Sequence, residues 1–81
     1  MLDRLKTAHK VVGTKQSIRA VKEGKALVAY IARDADRHII QQLEDLCDEN
    51  AVKKVEVDTM EELGRACGID VKAACAVILK Q

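Results

Sequence analysis

ALVAYIA, residues 26–32, is an unbroken apolar run closed by Lys25 on one side and Arg33 on the other. A strand with one wet face alternates apolar and polar residues, so a run without alternation belongs to a strand covered on both faces. The segment therefore reads as the central strand of a sheet with helices above and below it.

The flanking segments supply those helices. On a wheel of 100° per residue, Ser17, Ile18, Ala20 and Val21 share one side of a helix over 14–23. Lys15, Gln16, Arg19, Lys22 and Glu23 share the other, and Gly24 closes it as a left-handed cap. After the central run, Asp34 or Asp36 can cap a helix over 36–49. Its core stripe is Ile39, Ile40, Leu43, Leu46 and Cys47, and Glu44, Asp45, Asp48 and Glu49 form a solvated acidic face. VKKVEV, 52–57, reads as a strand with Val55 and Val57 inward. Thr59-Met60-Glu61-Glu62 is a capping box opening a helix whose Leu63, Ala66 and Cys67 pack inward and which Gly68 ends. IDVKAA, 69–74, connects to a last strand, CAVIL, 75–79. Upstream, residues 2–10 carry helical spacing through Leu2 and Leu5, and Val11-Val12 form a very short strand before Gly13.

Strands alternating with helices call for right-handed crossovers and hence helices on both faces of the sheet. The expected fold is a three-layer α/β/α sandwich with a small, about four-stranded mixed sheet, built as a single domain over 1–81. With 81 residues, 48% of them apolar but only 1% aromatic, the core must be packed from Ala, Val, Ile and Leu. Tyr30 is the sole aromatic residue. No signal peptide or membrane span is legible, and a cytoplasmic location is the default.

The chemistry-bearing motifs of enzymes are missing. There is no dinucleotide or P-loop glycine pattern, no H-E-x-x-H and no G-x-S-x-G. His9 and His38 read as solvated histidines. Cys47, Cys67 and Cys75 are widely spaced without a C-x-x-C pair and read as small buried hydrophobes. No catalytic residue, metal or cofactor is assigned, and a small enzyme using Cys67 or Cys75 is the weakest reading, since neither has an identifiable base.

The charge distribution says more than its total. The net charge is +1, yet residues 1–25 hold seven Lys or Arg against two acidic residues, a balance of +5, and residues 26–81 carry −4. A basic face and an acidic face on one small molecule suit the orientation of a polyanion. GTKQSIRAVKEG, 13–24, concentrates the positive side: Gly13 and Thr14 allow close backbone approach at a helix N-terminus, and Lys15, Arg19 and Lys22 continue a cationic line. The bland alternative is a solvated helix face. If the partner is RNA, the lack of exposed rings excludes base stacking of the kind used by RRM and OB folds. Structured RNA, read through its backbone and exposed base edges, remains.

GTKQSIRAVKEG, ALVAYIARDAD, LCDEN and above all LGRACGIDVKAACAVI resemble the kink-turn-binding ribosomal protein family of the L-seven-Ae type, in particular its short bacterial members. The resemblance runs from about Thr7 to Leu79. It implies a three-layer α/β/α fold that binds a sharply bent RNA duplex containing tandem sheared G·A pairs, in the ribosome or on another structured RNA. In the family pattern G-x-N-E-x-x-K, helix residues reach the guanine edges; the matching positions are Gly13, Lys15, Gln16 and Arg19, with Thr14 and Lys22 beside them. The apolar loop that covers unstacked nucleotides falls on Ile69 to Cys75, with Ile69, Val71, Lys72 and Ala73 as candidates, and Asp36 corresponds to a family carboxylate near a flipped-out base. Two departures follow. Lys15-Gln16 replaces the usual Asn-Glu, shifting affinity from base-edge discrimination toward phosphate attraction. Met60 stands where a basic residue often helps hold the flipped-out base. The expected protein is a monomer; the competing reading is a non-catalytic protein-interaction module using the acidic helix 36–49 or the apolar loop 69–75.

Overall fold

The computed structural model describes Leu5 and residues 9–80. The strands are β1 (Lys10–Val12), β2 (Ala26–Ala32), β3 (Lys53–Val57) and β4 (Cys75–Leu79), and the helices are α1 (Thr14–Lys22), α2 (Arg37–Glu49) and α3 (Met60–Ala66). The four strands form one sheet in the order β1-β4-β2-β3. β4 runs antiparallel to both β1 and β2, while β2 and β3 are parallel, so the sheet is mixed. The segment 26–32 is a strand and lies in the interior of the sheet, as its unbroken apolar run demands.

Because side chains alternate along a strand, β2 and β4 serve two cores at once. Val28, Tyr30, Ala32, Ala76 and Ile78 face Leu63 and Cys67 of the α3 layer, and Leu5 joins them. Ala29, Ile31, Cys75 and Val77 face Ala20 and Val21 of α1 and Leu43 and Cys47 of α2. That division is the three-layer sandwich, with α1 and α2 on one face and α3 on the other. Tyr30 is 2% exposed, so the one aromatic ring is spent on the core.

The helix boundaries follow local chemistry. Asp36 caps α2, its carboxylate accepting from the His38 amide at 2.8 Å and more weakly from Ile39 at 3.4 Å. Asp34, the other capping candidate, instead accepts from the Met60 amide at 2.8 Å and thereby ties the loop after β2 to the start of α3. The Thr59 hydroxyl accepts from the Glu62 amide at 3.0 Å, the N-terminal half of the expected capping box. α2 ends at Asn50, whose side-chain amide donates to the Leu46 carbonyl at 2.8 Å.

The expected helix over 2–10 lies outside the described residues except for Leu5, which is helical and buried, and the pair His9 and Lys10. That pair corrects its end. Lys10 already belongs to β1, paired with Ile78, because the Leu79 amide donates to the His9 carbonyl at 2.8 Å and draws the chain into the sheet. No helix among the described residues is long and apolar enough to cross a membrane.

Leu63 is 0% exposed and lies where α3 meets β2 and β4. Leu63→Ala is expected to lower stability by about 2 to 5 kcal/mol, since the lost transfer energy and the residual cavity both count. A urea titration followed by circular dichroism checks it.

Candidate nucleic-acid interface

One end of the sheet collects the segments that carry the candidate residues. The Gly13 amide donates to the Cys75 carbonyl at 2.9 Å, the Ala32 amide to Ala74 at 2.9 Å, and the Arg33 amide to Val57 at 2.8 Å. The start of α1, the loop after β2, the start of α3 and the loop 69–74 therefore meet at the ends of all four strands.

Gly13 is the N-cap of α1 with φ 104° and ψ 160°, a backbone conformation that L side chains rarely adopt. No side chain caps this helix. Its first-turn amides thus lack the side-chain partner that Asp36 and Thr59 give to α2 and α3, and they remain available to an anion. Thr14 is half-buried, and its hydroxyl lies 4.0 Å from the Cys75 thiol, whose S–H points to it. Ser17, Ala20 and Val21 are buried; Lys15, Gln16, Arg19 and Lys22 are exposed, the division expected from the wheel.

These four exposed residues do not occupy equivalent places. Lys15 and Gln16 lie in the first turn of α1, just after Gly13, and Gln16 also lines a small cavity with Val11, Arg19 and Leu79. Arg19 stands one turn further, its Nε 3.8 Å from Glu23 Oε2, and the Lys25 ammonium also approaches Glu23, at 3.3 Å. Engagement through Nε leaves the two terminal nitrogens of Arg19 to face outward as a fork. Lys22 is the last residue of α1, ~12 Å along the axis from its start.

The loop 69–74 is held as a shaped edge. The Ile69 amide donates to Gly64 and the Ala73 amide to Met60, each at 3.1 Å. Val71 is 68% exposed, an apolar side chain presented to solvent, and Lys72 beside it is exposed as well. Ile69 is half-buried against the α3-side core and, with Glu61, Arg65 and Val71, lines a shallow cavity of about 510 Å³. Ala73 corrects the expectation that it offers apolar surface. It is 2% exposed, and its methyl group belongs to the core with Leu63 and Cys67.

Asp36 is exposed at the same end, but its carboxylate is engaged by two α2 amides. Met60, half-buried, packs against the α3-side core. Sequence reading passed over Gly64 of α3, and its role is steric. A methyl group there would collide with the Val71 carbonyl oxygen and stand 3.1 Å from the Val71 carbonyl carbon and 3.3 Å from Lys72 Cα. The only signal available in advance was a glycine inside a helical pattern, where it costs about 1 kcal/mol relative to alanine and so calls for a packing reason.

The three cysteines are buried free thiols. Burial pushes all three above the ordinary thiol range; for Cys75, the nearby Ser17 and Thr14 hydroxyls pull the other way. A nucleophilic cysteine needs the opposite shift. Among the described residues no three His, Cys, Asp or Glu side chains form a group that would hold a metal ion.

The sequence pattern of the Ribosomal protein L7Ae/L30e/S12e/Gadd45 family matches residues 2–81. An RNA-binding protein of Caldanaerobacter subterraneus is 49% identical over 67 residues, 83% of this chain and 82% of that protein. The RNA-binding protein YbxF of Geobacillus stearothermophilus is 47% identical over 70 residues, 86% of this chain and 85% of its own length. Among solved structures, the 15.5kD RNA binding protein of Giardia lamblia superposes with a TM-score of 0.89 at 31% identity, covering 99% of this chain and 71% of that one.

Two expectations follow from this geometry. Gly64→Ala is expected to displace the backbone at Val71 and Lys72 and to cost about 1 to 3 kcal/mol; amide chemical shifts should change most at those two residues, and urea unfolding should give the stability loss. The thiols set a pH dependence. They stay protonated in the fold, whereas unfolded thiols ionise near the ordinary value of about 9.0. The folded chain therefore holds protons that the unfolded chain releases, so this contribution is unchanged below pH ~9 and stability falls as pH rises beyond it. Urea midpoints at pH 8 and pH 10 check the sign, with a triple Cys→Ala variant expected to show a smaller drop.

Proposed function

This chain belongs to the Ribosomal protein L7Ae/L30e/S12e/Gadd45 family, and on that premise we propose that it is a non-catalytic RNA-binding protein that stabilises kink-turn RNA. The supporting observation is the Gly13 to Cys75 backbone hydrogen bond. It joins an uncapped, cationic helix start to the segment that follows an exposed apolar loop, so a polar and an apolar contact sit side by side.

The chemistry of each contact is specific. A sheared G·A pair leaves guanine O6 and N7 free to accept hydrogen bonds and N1 and N2 free to donate them. The outward fork of Arg19 suits the acceptors and the side-chain carbonyl of Gln16 suits the donors. Thr14 and Lys15 bring backbone amides and one cation to the adjoining phosphates, and Gly13, whose own amide is held by Cys75, lets the RNA backbone come close. Val71 and Ile69 cover an unstacked base without a ring, Lys72 neutralises the phosphate beside it, and Ala73 acts only by anchoring the loop. Asp36 stands ready at the rim for the flipped-out nucleotide, whereas Lys22 contributes long-range attraction rather than contact.

The mechanism is selection of the bent conformer. A surface whose two contacts are spaced for the kink binds the straight duplex through phosphates alone, and the difference in affinity sets how far the RNA equilibrium moves. With Lys15-Gln16 in place of Asn-Glu, a larger share of the affinity is electrostatic, and discrimination is correspondingly modest. The proposed setting is the cytoplasm, with the protein acting as a monomer on ribosomal or other structured RNA.

Arg19→Ala is expected to weaken binding of a fluorescently labelled kink-turn by about 1 to 3 kcal/mol, with a smaller loss on plain duplex RNA. Titrating the kink-turn, a control with the G·A pairs disrupted and a duplex, while reading bending by energy transfer, makes the test. Equal affinity of the wild-type protein for all three, or equal losses from Arg19→Ala, would overturn the assignment.

A further inference from the structure

A second cleft opens at the same end of the sheet, on the face that carries α1 and α2 but displaced past β2 toward β3. It has a volume of about 400 Å³ and lies between the edge strand β3 and the first turns of α2. Ile31 and Ile40 give it apolar walls, Arg33 and Arg37 supply two cations, and Glu44 and Glu56 two carboxylates. It is continuous with the surface already described: the Arg33 amide bonds to Val57, and the neighbouring Ala32 amide bonds to Ala74 at the end of the exposed loop.

We propose that this cleft is a second RNA contact, taking one nucleotide of a strand that continues beyond the kink, with its phosphate on Arg33 and Arg37. The inference rests on the RNA-binding reading above and extends its footprint across the end of the molecule.

Three observations carry it. The first is electrostatic. Arg37 is the first residue of α2 and His38 the second, at the end of the helix where the dipole disfavours cations. Among the described residues no carboxylate makes a salt bridge with Arg33 or Arg37, although Glu44 and Glu56 line the same cleft. Neither guanidinium is held in an ion pair among the described residues, so both can take an external anion. The second is size: the volume lies in the range of small-molecule pockets and exceeds what a single side chain fills. The third is polarity. Phosphate is attracted to the arginine side and repelled from the carboxylate side, where Glu44 and Glu56 can only accept hydrogen bonds, as the amino groups of bases supply. The cleft therefore favours a nucleotide lying with its phosphate toward Arg33 and Arg37 and its base edge toward the glutamates. Because its four charges cancel, it has little pull on free polyanions and acts only on RNA already anchored by α1.

The test compares two labelled kink-turn RNAs, one ending at its stems and one carrying single-stranded extensions, titrated across a range of salt. The Arg33→Ala/Arg37→Ala variant is expected to bind the extended RNA ~10-fold less tightly, with a salt slope smaller by about 1 to 2, and the short RNA within about two-fold of wild type. Lys53→Ala/Lys80→Ala, which removes two cations at the opposite end of the sheet, is the control for charge alone and is expected to spare both RNAs. Equal losses on the two RNAs, or a loss no greater than the control's, would overturn the cleft and leave the kink-turn reading standing. A wild-type protein indifferent to the short kink-turn would overturn both.

Discussion

Burial of β2 on both faces is the constraint from which the rest of the structure follows. Two helices alone cannot cover both faces of the strand and also the two strands beside it, so the chain must send α1 and α2 to one side and α3 to the other. The cost of that plan is that β2 and β4 must be apolar at every position. The benefit is that each buried residue serves a core: Val28 and Tyr30 toward α3, Ala29 and Ile31 toward α1 and α2. At roughly 1.5 to 3 kcal/mol for each fully buried large aliphatic or aromatic side chain, a few such positions outweigh any surface ion pair in the molecule.

The same constraint shapes the candidate interface. Consuming Tyr30 in the core leaves no ring for stacking, and the exposed apolar contact falls to Val71 on a loop. A loop is a poor place for precise contact unless something fixes it. Here α3 does so through the absence of a side chain at Gly64, with the backbone of Val71 and Lys72 lying directly on the helix. The helix start at Gly13 is fixed by the next residues along, through the Cys75 carbonyl. Rigid secondary structure on either side thus holds two short, exposed segments in a set relation, as the proposed recognition of a bent RNA requires.

Local signals carried most of the architecture. The apolar runs marked β2 and β4 to the residue, the wheel separated Ser17 and Val21 from Lys15 and Arg19, and Thr59 marked the start of α3, because each depends on neighbours within a turn or on strand alternation. What was misread depends on distant partners. Lys10 joins β1 because β4 pairs with it, and Ala73 turns inward because Met60 takes its amide. Of the two capping candidates left open, Asp36 takes α2 and Asp34 binds the start of α3. No local pattern marks Arg33 and Arg37, which sit in a stretch whose overall charge is negative.

From the amino-acid order alone came the sandwich, the polarity of α1 and the contrast between a basic beginning and an acidic remainder, since these are periodicities and counts. Which loops share an end of the sheet, that Gly64 exists to let a backbone pass, and that two arginines without a salt bridge among the described residues open onto a cleft were decided by the tertiary structure. Such facts rest on contacts between residues far apart in the chain, and no local periodicity encodes where two distant segments meet.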